Sequence, residues 1–309
     1  DEIYGPEPSG RYVCESRLYK MLDHEYELMD KRLRNERPDT NKLEITHKYT
    51  HKKIKRNIKG NRWLGIRIQL KQQGTANDLV LHVRMLDNDN HLQQQAIGIL
   101  GVNLIYACFR YHQEPEIMLQ SLIDGLRGRV KIDMVRLTGP DFESVDNRLL
   151  SLYLIKHQLS DVTMFGADGK NIHASEFVYK KQALIVRGSF RPPTLVNMDM
   201  IKSGYQAFRN EPGIDPKRTI LFTEITYENL CADGELDEKD FLDRAELLNA
   251  LGQTVMLTNC KAHHQVVEYL TEYRAEPIGL VFGVQPLLEL ISKTYYENQD
   301  GRLLAAFGE

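Results

Sequence analysis

The sequence predicts an α/β protein whose C-terminal half is Rossmann-like, a mostly parallel sheet with covering helices, preceded by N-terminal helices plus a β-hairpin. Three observations carry this. From Val130 onward, short apolar runs alternate with amphipathic stretches at helical spacing, as parallel strands with crossover helices do. Between Trp63 and Leu86, two runs alternate apolar and polar residues around a loop containing Gly74, Asn77 and Asp78, which is a hairpin pattern. Near the start, Leu18, Met21, Leu22, Tyr26, Met29 and Leu33 recur so that they share one helical face.

Taken in order, Arg17 to Arg37 reads as an amphipathic helix that Pro38 ends. The lysine-rich stretch His47 to Arg62 holds Lys48, Lys52, Lys53, Lys55, Arg56, Lys59 and Arg62. Few aromatics interleave it, so it reads as a solvated loop or sheet edge rather than a nucleic-acid contact. Trp63–Leu70 and Leu79–Leu86 form the hairpin with one face buried. Leu92 to Phe109 reads as a mostly buried helix in which Gly98 and Gly101 permit close packing, and Pro115 opens another that ends near Gly125 or Gly128.

The apolar runs that follow are Val130–Leu137, Val162–Phe165, Ala183–Val186, Thr219–Ile225, Thr254–Thr258 and Ile278–Phe282. Helical periodicity between them is strongest in Val145–His157, Glu238–Leu251 and His264–Tyr273. A boundary near Val130 then divides a helical region with its hairpin, 1–129, from an α/β domain, 130–309.

With 309 residues, a net charge of −3, 27% charged and 42% hydrophobic residues, the chain has an ordinary globular composition, and no partner class follows from its charge. Cys14, Cys108, Cys231 and Cys260 form no C-x-x-C pair and read as reduced, mostly buried thiols of a cytoplasmic protein. The longest apolar stretch, Ala96 to Phe109, carries Gly98, Gly101 and Asn103 and is shorter than the roughly 20 residues of a bilayer span. No membrane span is expected. The chain opens on Asp1 without a signal segment, which reads as a fragment or a processed product.

Ligands of open parallel sheets bind beyond the carboxyl ends of the strands. The residues there include Asp168, Arg187, Ser189, Arg191, Glu224, Thr258 and Asn259. Arg187 and Arg191 flank a Gly-Ser turn and suit a phosphate held by forked hydrogen bonds. Asp168 and Glu224 suit a carboxylate pair for Mg²⁺. The P-loop, dinucleotide, G-x-S-x-G and H-E-x-x-H patterns are all absent. His263 and His264 are adjacent, cannot form an i, i+4 metal pair, and read as a helix start.

One segment, TILFTEITYENL through TVMLTN (Thr219 to Asn259), resembles the opening of a haloacid-dehalogenase-like phosphatase. The resemblance assigns phosphoryl binding to Thr258. It also places Thr223 and Ile225 where that family carries its aspartate nucleophile and acid/base, so the covalent chemistry is missing. Over nearly the whole chain, YVCESRLYKMLDHEYELMDKRL (Tyr12–Leu33), QQQAIGILGVNLIY (Gln93–Tyr106), VDNRLLSLYLI (Val145–Ile155) and RGSFRPPTLVNMDM (Arg187–Met200) resemble a bacterial family often labelled nicotinate-nucleotide adenylyltransferase or TonB-dependent receptor. Members of that family extend upstream and downstream of these residues. The adenylyltransferase label needs an H-x-G-H motif that is absent, and the receptor label needs barrel strands that the pattern does not show.

The expected function is a binder of a phosphate-bearing small molecule, self-assembling or not, without covalent phosphoryl catalysis. Two alternatives stand beside it. One is a Mg²⁺-dependent nucleotidyl- or phosphoryl-transfer enzyme using Glu224 or Asp168. The other is a structural subunit forming a homo-oligomer through the helices at Arg17–Arg37 and Leu92–Phe109.

Overall fold

The computed structural model describes residues 14–36, 45–52, 60–71 and 74–290. They form a mixed α/β protein that divides into two units, residues 1–163 with 169–173, and residues 164–168 with 174–309.

The first unit opens with α1 (Glu15–Glu36), β1 (Ile45–Lys52), β2 (Gly60–Ile68) and β3 (Asn77–Met85). It continues through α2 (Asn90–Tyr111), α3 (Pro115–Ser121), β4 (Val130–Thr138), α4 (Asn147–Lys156), the start of β5 (Val162–Phe165) and β6 (Asn171–Ile172). The expected helix and hairpin are both present. Arg37 and Pro38 lie outside the described residues, as do Lys53, Lys55, Arg56 and Lys59 of the basic stretch. The front of that stretch is β1, an edge strand paired antiparallel to β2.

Three expectations change here. Val130–Leu137 pairs antiparallel with β3 and completes a sheet of order β1–β2–β3–β4, so it is not the first strand of a parallel sheet. The division accordingly falls near residue 163 rather than 130. Val130, Ile132, Met134, Val135 and Leu137 are all buried because the strand is covered on both faces, and such a run cannot be told from a parallel strand by its pattern. The hairpin is likewise buried on both faces. One face packs Leu64, Ile66, Leu79, Leu81 and Val83 with residues of α2, α3 and α4. The other packs Trp63, Val80 and Met134 with Leu18 and Leu22 of α1. Gly65 permits this second contact, because a Cβ there would come within 2.9 Å of Leu22 Cδ1.

α2 is long and apolar enough, by length and composition, to cross a bilayer, but 44% of its most apolar window is buried. Ala96, Leu100, Leu104 and Ala107 all reach the core. Gly101 is buried as expected, whereas a Cβ on Gly98 would meet nothing within 4 Å. The opposite face shows Val102, Tyr106 and Phe109 to solvent, at 66%, 57% and 41% exposure.

The second unit takes up the end of β5 and adds α5 (Ala174–Phe177), β7 (Gln182–Arg187), α6 (Leu195–Asn210), β8 (Thr219–Thr226) and α7 (Tyr227–Leu230). It continues with α8 (Glu238–Ala250), β9 (Thr254–Thr258), α9 (His263–Glu272), β10 (Ile278–Val281) and α10 (Val284–Leu290). The strands lie in the order β10–β7–β8–β9–β5, and β10–β7, β7–β8 and β8–β9 are parallel. Every apolar run expected as a strand after residue 162 is one. Capping by Asp237 on α8 and by Thr194 on α6 fixes where those helices start. From β7 the chain steps to β8 and then to β9, and returns through α9 to β10 on the far side of β7. The strand order therefore reverses between β7 and β10, which is where open parallel sheets leave a crevice.

Candidate functional site

At the carboxyl end of the parallel sheet, register decides which side chains meet. Arg187 pairs with Glu224, Glu224 with Met256 and Thr226 with Thr258. Arg187, Glu224 and Thr258 therefore share one sheet face. Glu224 is buried at 1% exposure. Its carboxylate accepts two bonds from Arg187, Nε at 2.9 Å and Nη2 at 2.7 Å, and a third from the Thr258 hydroxyl at 2.7 Å. Arg187 also donates to the carbonyls of Lys261 (3.2 Å) and Cys260 (3.3 Å), and so holds the loop between β9 and α9. The forked arginine expected to grip an anion is already matched by a carboxylate. A Mg²⁺ ion at Glu224 would have to displace that guanidinium.

Arg191 is exposed and paired elsewhere, with Asp233 and Asp240. Asp240 also takes Arg244, whose Nη1 donates to the Ser189 carbonyl at 3.0 Å. These bonds tie the loop after β7 to the start of α8. Phe190 in that loop is buried with φ +46, and its ring lies 3.1 Å from where a Cβ on Gly188 would be. A buried non-glycine residue held in the left-handed region is strain of the kind found at ligand-binding turns. Ser189 and Asn259 are exposed at the rim, and Asp168 is exposed on the turn after β5. Arg187, Glu224 and Thr258 thus converge, while Arg191 belongs to a separate ion-pair group.

The resemblance to a haloacid-dehalogenase-like phosphatase assigns Thr223 and Ile225 to that family's nucleophile and acid/base positions and Thr258 to its phosphoryl-binding position. In the sheet, Glu224 bonds to Thr258. Thr223 is buried with its hydroxyl donating to the Thr254 carbonyl at 3.3 Å, and Ile225 lies in the core.

His263 completes the arrangement. It opens α9 as expected of a helix start, is 7% exposed, and packs on Phe282, just past β10, at a ring distance of 4.9 Å. Among the described residues neither of its ring nitrogens has a hydrogen-bond partner. Burial, then the nearby Arg187 and His264 charges, push its pKa down to about 4, so the ring is neutral at pH 7. The helix cap, Ala262, offers no side-chain acceptor to the first-turn amides, while its own N–H donates to Gln265 Oε1 at 3.1 Å. His263 and His264 are adjacent in the chain, but only His263 faces inward, which adjacency by itself does not reveal.

The first unit holds a second cluster that sequence reasoning did not single out. His82 Nδ1 lies 2.6 Å from Asp133 Oδ1, and His173 Nε2 lies 3.4 Å from the same oxygen. Arg84 Nε sits 3.1 Å from Asp133 Oδ2. Burial raises the Asp133 pKa, but the two histidines outweigh it and hold the carboxyl well below its ordinary range. A visible signal existed: His82 and Asp133 each interrupt an apolar strand run, and a buried polar residue needs a partner. Open clefts on the surface, one including Lys202, Tyr205 and Gln253 and another including Arg127, Lys156 and His157, contain none of these cluster residues.

No family model, curated protein or solved structure matches this chain.

Proposed function

We propose that the second unit binds a phosphate-bearing small molecule at the carboxyl ends of β7, β8, β9 and β10, without covalent phosphoryl transfer. The strand order, reversing between β7 and β10, supports reading this unit as Rossmann-like. The observation that carries the proposal is His263, buried with both ring nitrogens unpartnered at the start of a helix whose cap supplies no acceptor. Leaving buried donors and acceptors unsatisfied costs about 1–3 kcal/mol each, so such a ring marks a place where a ligand completes the bonding. The first-turn amides of α9 offer donors and a partial positive charge to a phosphate. Neutral His263 donates from one nitrogen and accepts a ligand hydroxyl at the other. Arg187, Glu224 and Thr258 act as positioning residues that fix the β9–α9 loop, and Ser189 and Asn259 contribute from the rim. Thr223 and Ile225 supply no nucleophile. The four free thiols support a reducing, cytoplasmic setting.

Calorimetric titration with nucleotides and sugar phosphates tests this directly. Saturable binding to the wild type is expected, weakened about tenfold or more in His263→Phe through loss of bonds worth ~1.4 kcal/mol or more. Flat titrations across both ligand sets would end the proposal.

The exposed row Val102, Tyr106 and Phe109 on α2 supports a second reading, self-assembly through that helix. Sedimentation of the wild type should then give a defined oligomer, with Tyr106→Glu shifting it toward monomer. A monomer at micromolar concentration removes this reading.

A further inference from the structure

Two histidines and a carboxylate, distant in the chain, close on one point inside the first unit. His82 on β3, Asp133 on β4 and His173 just after β6 are each at most 2% exposed, and one donor atom from each lies within 4.8 Å of the others. Tetrahedral bonds of ~2.0–2.1 Å set neighbouring ligand atoms about 3.3 Å apart, the scale of this cluster.

The backbone is shaped to bring them there. The β3–β4 register shifts between His82 and Val83, which face Met134 and Ile132, so Asp133 is the residue left over in a β-bulge. Bulges re-aim a side chain, and this one turns Asp133 toward the His82 ring. Asn171, buried at 1% exposure, donates to the carbonyls of Val135 and Asn147 at 2.7 Å each and so anchors the segment that delivers His173. Trp63 stands edge-on to both imidazoles, with ring distances of 5.0 and 5.7 Å. It is fully buried, and among the described residues its Nε1 has no hydrogen-bond partner.

We propose that His82, Asp133 and His173 form a three-ligand site for a first-row divalent cation of the zinc or iron class, with a fourth position for water or a small anion beside Trp63. Two imidazoles and one carboxylate suit such ions, while magnesium and calcium prefer all-oxygen sets. Arg84 Nε lies 3.1 Å from Asp133 Oδ2 as an ion pair, so its charge sits on the Oδ2 side and Oδ1 is the oxygen turned toward the histidines. A purely hydrogen-bonded cluster accounts for the two stacked rings, 3.6 Å apart, but leaves the Trp63 N–H without an acceptor.

Trp63 is the one tryptophan of the chain and therefore reports on this site alone. Protein stripped with a chelator is equilibrated with Co²⁺ while its emission is followed. Quenching that saturates at one Co²⁺ per chain and is reversed by Zn²⁺ is the expected result. The Asp133→Asn variant, which keeps the shape of the side chain, should bind Co²⁺ at least about tenfold more weakly. Unchanged emission in folded wild-type protein would overturn the proposal. Equal quenching in Asp133→Asn would do the same, since the carboxylate would then not be a ligand.

Discussion

Replacing Glu224 with Ala is expected to cost about 3–5 kcal/mol of stability, because it strands a buried charge. Glu224 is 1% exposed, and the Arg187 side chain paired with it is 12% exposed. Without the carboxylate, the guanidinium keeps only the Cys260 and Lys261 carbonyls, and Thr258 loses its acceptor. Urea unfolding of the single variant reads the loss. The double variant Glu224→Leu with Arg187→Met, which removes both charges and keeps volume, should recover most of it, since the penalty lies in the unpaired ion rather than in the missing pair. A loss below about 1 kcal/mol in Glu224→Ala would mean that solvent reaches Arg187 easily, and that the strand-end cluster is not the fixed platform the geometry describes.

The second large effect is a fall in stability as pH drops from about 6.5 to about 4, contributed by His263. Its folded pKa is near 4 against an ordinary 6.5, lowered by burial first and then by Arg187 and His264. In this window the unfolded chain binds the proton and the folded chain does not, so acid favours unfolding. The contribution is fully present above pH 6.5, declines through the window and levels off below pH 4. A shift of that size corresponds to at most about 3 kcal/mol, reduced by whatever solvent screening reaches the ring. Carboxylates titrate near the lower end, so the informative quantity is the difference between wild type and His263→Phe, measured by denaturant unfolding at several pH values. A difference curve flat from pH 7 to 4 would show that the ring is not buried in its neutral form. A phosphate-bearing ligand that satisfies His263 should protect against this acid loss, which links the stability measurement to the binding proposal.

The placement of strands and helices was largely legible in the sequence. Val162–Phe165 and Thr254–Thr258 match β5 and β9 residue for residue, and Glu238–Leu251 exceeds α8 by one residue, because apolar run length and helical periodicity are local properties. The role of a strand was less legible. Val130–Leu137 buries apolar side chains on both faces because α1 and the α2–α4 layer cover its sheet on both sides, and local pattern cannot say whether the covered sheet is parallel.

For the candidate site, the sequence by itself determined which residues stand at the strand ends, since a residue following an apolar run is positioned by the run. Tertiary structure alone decided their bonding. Arg187 and Arg191, four residues apart, meet different carboxylates because one lies in register with Glu224 and the other leaves the sheet toward α8. His263 turns inward while its neighbour is half-buried, a matter of helix phase. His82, Asp133 and His173 converge only through a register shift and a tethered loop. Distances between residues tens of positions apart are set by packing and pairing, which no local property of the chain encodes.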